Sequence, residues 1–150
     1  MRRILVALVI ATALAAVPSA PASAATVSST TFDQRLHDQT NSSRQGHDLR
    51  KLRFHACLDR YAQRQARRMA AQQRMFHQNL SVVLRRCKAR AVGENVAHGF
   101  RTPRSNIRAW LDSPGHRHNL LSRKYTRLGI GVAKDTRGHT WTVQVFGRPA

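Results

Sequence analysis

The stretch Leu128-Gly129-Ile130-Gly131-Val132-Ala133 constrains the fold more than any other. Large apolar residues alternate there with residues that carry little or no side chain. Period-two alternation marks a β-strand, and this strand has one face too small to fill space. Asp135-Thr136-Arg137-Gly138 then supplies turn chemistry. In the next run Trp141, Val143 and Val145 alternate with Thr142, Gln144 and Phe146. The C-terminus is expected to form a β-hairpin.

Helical spacing dominates before it. Leu58, Ala62, Ala66, Met69 and Ala70 recur on one side between Cys57 and Gln73, with Arg60, Arg64, Arg67 and Arg68 elsewhere on the wheel. Small residues and methionine on that side suit close packing against a sheet. A weaker helical pattern runs from Phe32 to about Arg44. Thr102-Pro103 is an N-cap followed by proline at the first helical position, and Ser113-Pro114 repeats the signal with His116 in the first turn. Residues 74–99 read mostly as loop with short helical turns. Helices first and a strand pair last, without alternating βαβ units, give an α+β class.

The N-terminus carries an export pattern. Arg2 and Arg3 precede an apolar run from Ile4 to Val17, and Ala22-Ser23-Ala24 matches a signal-peptidase site. The expected organisation is a signal peptide over 1–24, a flexible lead-in over 25–31 and one domain over 32–150. A retained anchor is the alternative, although the run is shorter than the ~20 residues that span a bilayer. Export implies a secreted, extracellular protein with no transmembrane segment after cleavage. In that compartment Cys57 and Cys87 are expected to pair, stabilising the fold by about 3–4 kcal/mol through loop closure; two free thiols or metal ligands are the other reading.

Formal charge is +19, and removal of Arg2 and Arg3 leaves +17. Such a field attracts polyanions. The arginines are spread along the whole chain, which also fits a merely solvated basic surface.

Acids are few: Asp33, Asp38, Asp48, Asp59, Glu94, Asp112 and Asp135, with Glu94 the lone glutamate. It lies in Gly93-Glu94-Asn95-Val96-Ala97. Met75-Phe76-His77 precedes it, and Trp110-Leu111-Asp112-Ser113-Pro114-Gly115-His116-Arg117-His118-Asn119 follows. Together with Asn41, Arg44, Tyr125, Gly129 to Val132 and Gln144 to Gly147, these segments resemble the bacterial branch of the CAP superfamily. That secreted (SCP) domain is shared by cysteine-rich secretory proteins, antigen 5 and plant pathogenesis-related proteins. The resemblance covers essentially the whole mature chain.

It implies an α-β-α sandwich with a small antiparallel sheet between helical layers. It also implies a shallow cleft where His77, Glu94 and His116 converge. Many animal and plant members place two histidines and two glutamates there and can bind a divalent metal. This chain has no second glutamate, and its last strand reads Trp141-Thr142-Val143-Gln144 where relatives commonly place aromatic, Thr and Gln consecutively. Two imidazoles and one carboxylate still suit Zn²⁺ or another divalent ion. The same residues could instead simply hold the cleft together by hydrogen bonds. His98 and His118 fall outside the matched positions and are expected to be solvent-exposed.

Two function classes follow. One is an extracellular binding module, a monomer whose ligand is an anionic cell-wall polymer, an anionic lipid or a small apolar molecule. The other is a metal-dependent hydrolase using His77, Glu94 and His116. The residues mark no general base, oxyanion stabiliser or nucleophile set, so binding is favoured over catalysis. Export and the scattered aromatics argue against nucleic acid as a physiological partner.

Overall fold

The computed structural model describes residues 27–150, so the expected signal peptide lies outside the described residues. The chain runs α1 (Val27–Gln45), β1 (Arg53–Phe54), α2 (Ala56–Gln72), α3 (Leu80–Arg86), β2 (Ala89–His98), α4 (Pro103–Asp112), α5 (Pro114–Leu120), β3 (Arg127–Lys134) and β4 (Thr140–Pro149). Helix α1 begins inside the stretch whose composition suggested a flexible lead-in. Extending a helix costs far less than nucleating one, and the turns from Leu36 onward are anchored in the core.

The four strands form one sheet in the order β1-β3-β4-β2. The expected hairpin is present, β3 pairing antiparallel with β4 from Arg127↔Gly147 to Lys134↔Thr140. Strand β2 lies antiparallel on the other side of β4, with Glu94 opposite Val145 and His98 opposite Trp141. The two-residue β1 runs parallel to β3, so the sheet is antiparallel over its long strands and mixed at one edge.

Helical layers cover both faces. Leu36, Ile107, Trp110 and Leu120 from α1, α4 and α5 pack with Leu128, Ile130 and Phe146. On the opposite face Leu58, Ala62, Ala66, Met69 and Val83 from α2 and α3 pack with Val96, Val143 and Val145. This is the α+β, α-β-α sandwich. The glycine face of β3 meets α2. A Cβ added at Gly129 would overlap the backbone of Leu58 and Asp59, and one at Gly131 would overlap that of Ala62 and Gln63. The missing side chains let helix backbone lie directly on strand backbone.

The disulfide joins Cys57 at the start of α2 to Cys87 at the C-cap of α3. Thr102 caps α4 by accepting from Ser105 N at 3.1 Å. Ser113, by contrast, makes no cap bond to α5.

The loop reading of 74–99 was too broad. Only the short connection before α3 and the turn after it are irregular, and β2 occupies 89–98. Its sequence is rich in Ala, Gly, Asn and Glu, which are depleted in strands. Residues Gly93 to Ala97 are also buried on both faces, so no apolar alternation betrays the strand.

Candidate functional site

The motif segments converge on β2, which is an edge strand. An edge leaves a row of backbone groups without a partner strand. Here three side chains replace the missing neighbour. Tyr125 Oη donates to the carbonyl of Val92 at 3.2 Å, Asn119 Nδ2 to that of Glu94 at 3.1 Å, and Trp110 Nε1 to that of Val96 at 3.2 Å. Alternate outward carbonyls are thus satisfied in sequence. Gly93 makes this possible, because a Cβ there would lie 2.9 Å from Tyr125 Cζ and 3.0 Å from Asn119 Oδ1.

Asn95 faces the layer of α1 and α5. Its Nδ2 donates to the His116 carbonyl at 3.0 Å and to Gln144 Oε1 at 3.1 Å, while Gln144 Nε2 donates to Thr40 Oγ1 at 2.6 Å. Asn41 pairs with both backbone groups of Leu52, donating to its carbonyl at 3.0 Å and accepting from its N–H at 2.8 Å. Arg44 is buried and donates to the carbonyls of Arg50, Leu120 and Ser122 at 3.0, 2.8 and 3.0 Å. Desolvation holds its pKa below the ordinary arginine value. The carbonyl dipoles, one of them at the C-terminus of α5, take the place of a carboxylate. Most of the motif polar residues are therefore buried scaffold.

His77 and Glu94 do meet. The carboxylate, wholly buried, accepts from His77 Nδ1 at 2.8 Å, from the backbone N–H of Gln78 at 3.2 Å and from Gln78 Nε2 at 2.5 Å. An acceptor-only carboxylate makes Nδ1 the protonated nitrogen and turns Nε2 of the half-exposed imidazole away from it. His116 enters from the other helical layer. Its Nδ1 pairs with Ser113 Oγ at 2.9 Å, which explains why Ser113 does not cap α5. Burial, reinforced by the nearby His77, lowers its pKa.

The ligand atoms of His77, Glu94 and His116 are not gathered within 4.8 Å of one another. Glu94 Oε1 accepts from two protein donors and Oε2 from one. Among the described residues, the three side chains whose ligand atoms all lie within 4.8 Å of one another are a different set, His98, Asp135 and His139. The geometry gives Glu94 the job of orienting His77 and tying the connection before α3 to β2. Gln78, which makes two of the three bonds to Glu94, carries no sequence signal that would have singled it out.

A second feature lies at the end of the sheet where β3 begins and β4 ends. A groove of about 590 Å³ is lined there by Arg50, Lys51, Arg53, Arg123, Lys124, Arg127 and Arg148, with Asp48 its one acid. Among the described residues, every ion pair within 4.0 Å has histidine as its cation. The groove arginines therefore have no carboxylate partner. His98 and His118 are exposed as expected.

The profile of the Cysteine-rich secretory protein family matches residues 37–146. The chain is 28% identical over 144 residues to the uncharacterized protein YkwD of Bacillus subtilis, covering 86% of this chain and 55% of YkwD. The fold is similar to that of an extracellular SCP-domain protein from Bacillus anthracis, with a TM-score of 0.72, 28% identity, and 80% of this chain aligned to 41% of that one. An outer surface protein of Borrelia burgdorferi shares the fold at a TM-score of 0.72 and 20% identity, over 78% of this chain and 92% of that one. The chain thus spans about half the length of the first two relatives. With the edge ladder built from Trp110, Asn119 and Tyr125, and the His77–Glu94 pair beside it, these matches place the chain in the CAP, or cysteine-rich secretory protein, family.

Proposed function

We propose that this protein is a secreted binding module that docks on an anionic polymer of the cell wall through the groove at the start of β3. One observation carries the reading: eight cationic side chains, the buried Arg44 among them, line one concavity with a single acid and no carboxylate partners. Arginine forks match the oxygens of phosphate and carboxylate groups bidentately, and a row of them along a groove suits a repeating anion better than a single small one. The extracellular and outer-surface character of the B. anthracis and B. burgdorferi proteins, together with the export pattern of residues 1–24, supports a location where such polymers are met. No helix among the described residues is long and apolar enough to cross a membrane.

An apolar ligand has less support. Phe54 and Met75 are the large hydrophobic side chains that stand exposed among the described residues, and they belong to different segments.

The test is equilibrium binding to a purified poly(glycerol phosphate) wall polymer, with vesicles of one-third phosphatidylglycerol in phosphatidylcholine as the competing surface. Wild type should bind the polymer at low salt, and affinity should fall steeply as sodium chloride rises past ~0.1 M, where screening reaches within about 10 Å. The triple variant R50E/R53E/R127E should lose at least about tenfold, equivalent to ~1.4 kcal/mol. Equal binding by wild type and variant, or binding to vesicles alone, would refute the assignment.

A further inference from the structure

We infer that His98, Asp135 and His139 form a binding site for a zinc-class divalent cation at the end of the sheet opposite the basic groove. The three come from separate places, His98 from the last position of β2 and the other two from the turn between β3 and β4. One ligand atom from each lies within 4.8 Å of the other two. A cation at about 2.0–2.2 Å from each of three ligands requires ligand atoms roughly 3–4 Å apart, so small side-chain rotations close the set.

The second observation is that the carboxylate is already oriented. Asp135 Oδ1 accepts from the backbone N–H groups of Arg137 and His139, both at 2.9 Å, and Oδ2 accepts from Trp141 Nε1 at 3.1 Å. Its side chain is only 3% exposed, whereas that of His139 is 52% exposed. His139 Nδ1 stands 3.5 Å from Oδ2, too long for a good hydrogen bond and placed where an ion could sit between them. The His98 ring lies on Trp141, with centroids 3.9 Å apart, and edge-on to His139 at 5.5 Å. One ligand is thus fixed from behind by hydrogen bonds, one is held by stacking, and the third is free to swing in.

The donor set of two imidazoles and one carboxylate suits Zn²⁺ and its first-row neighbours rather than Ca²⁺ or Mg²⁺, which prefer oxygen alone. Both imidazoles face solvent, so water completes the shell. A bound ion would pin the end of β2 to the hairpin turn. This site is independent of the His77–Glu94 pair and of the polymer groove.

Isothermal titration of the mature chain with zinc chloride tests the assignment, read beside Trp141 fluorescence quenching by Co²⁺. Expected is one Zn²⁺ per chain, with affinity at least about tenfold weaker in H98A and in H139A and unchanged in H77A/H116A. Unaltered circular dichroism and melting temperature in H139A and in the bulkier H139Q would show that the exposed imidazole is not structural. The inference is overturned by no saturable uptake up to about 1 mM zinc, by uptake that both substitutions leave intact, or by uptake lost only in H77A/H116A.

Discussion

A methyl group added at Gly93 would press against Tyr125 and Asn119, two of the side chains that close the β2 edge. Overpacking of that kind costs about 1–3 kcal/mol, so G93A should lower unfolding free energy by that amount. Y125F leaves the Val92 carbonyl without its donor and should cost about 1–2 kcal/mol. The two changes share one contact, so G93A/Y125F should cost less than the two singly combined. Denaturant titration of the four proteins checks this, and additivity within about 0.5 kcal/mol would mean that Tyr125 Oη is not the obstacle. Gly93, Asn119 and Tyr125 were visible in the sequence as parts of a family pattern. That they act on the backbone of one edge strand was not, because hydrogen bonds to carbonyls leave no trace in residue spacing.

Among the elements, those that show most clearly in the sequence are the ones whose buried faces are apolar. Helix α2 and the β3–β4 hairpin show their periodicity in Leu58, Ala62, Ala66 and Met69 and in Leu128, Ile130 and Val132. Helix α1 gave a weak signal because its buried face is Leu36, Thr40, Asn41 and Arg44, mostly polar. Its junction with α2 carries a measurable consequence. Asp33 of α1 is pushed up to about 6, first by burial and further by Asp59, against the opposing Gln63 hydrogen bond of 2.6 Å. The folded state therefore binds more protons than the unfolded chain between about pH 4 and pH 6. Stability from this group is greatest below the unfolded value of 3.8 and is lost as pH rises through about 6. D33N removes the penalty, so its stability gain over wild type should be larger at pH 7 than at pH 4. Urea unfolding at the two pH values measures it; an equal difference at both would contradict the shifted titration.

For the whole molecule, net charge was legible and its distribution was not. Arginines spaced evenly in sequence are gathered by the fold into one groove from the segment after α1, the start of β3 and the end of β4. The candidate cation site, likewise, exists only because β2 and the hairpin turn end side by side. A chain of formal charge +19 whose arginines and lysines pair with no carboxylate among the described residues carries uncompensated repulsion. Screening should relieve it. Sodium chloride raised from about 20 to 300 mM should therefore increase the melting temperature by several degrees, each kcal/mol corresponding to roughly 3–6 °C for a domain of this size. A protein held together by ion pairs would respond in the opposite direction. Sodium sulfate at equal ionic strength separates the diffuse field from the groove. A divalent oxyanion seated among Arg50, Arg53 and Arg127 stabilises the folded state by mass action as well as by screening. Its extra increment should vanish in R50E/R53E/R127E, while the chloride effect shrinks only in proportion to the charge removed. An equal sulfate increment in variant and wild type would show that the anion acts on the surface at large, and the groove would lose its claim to be the place where polyanions dock.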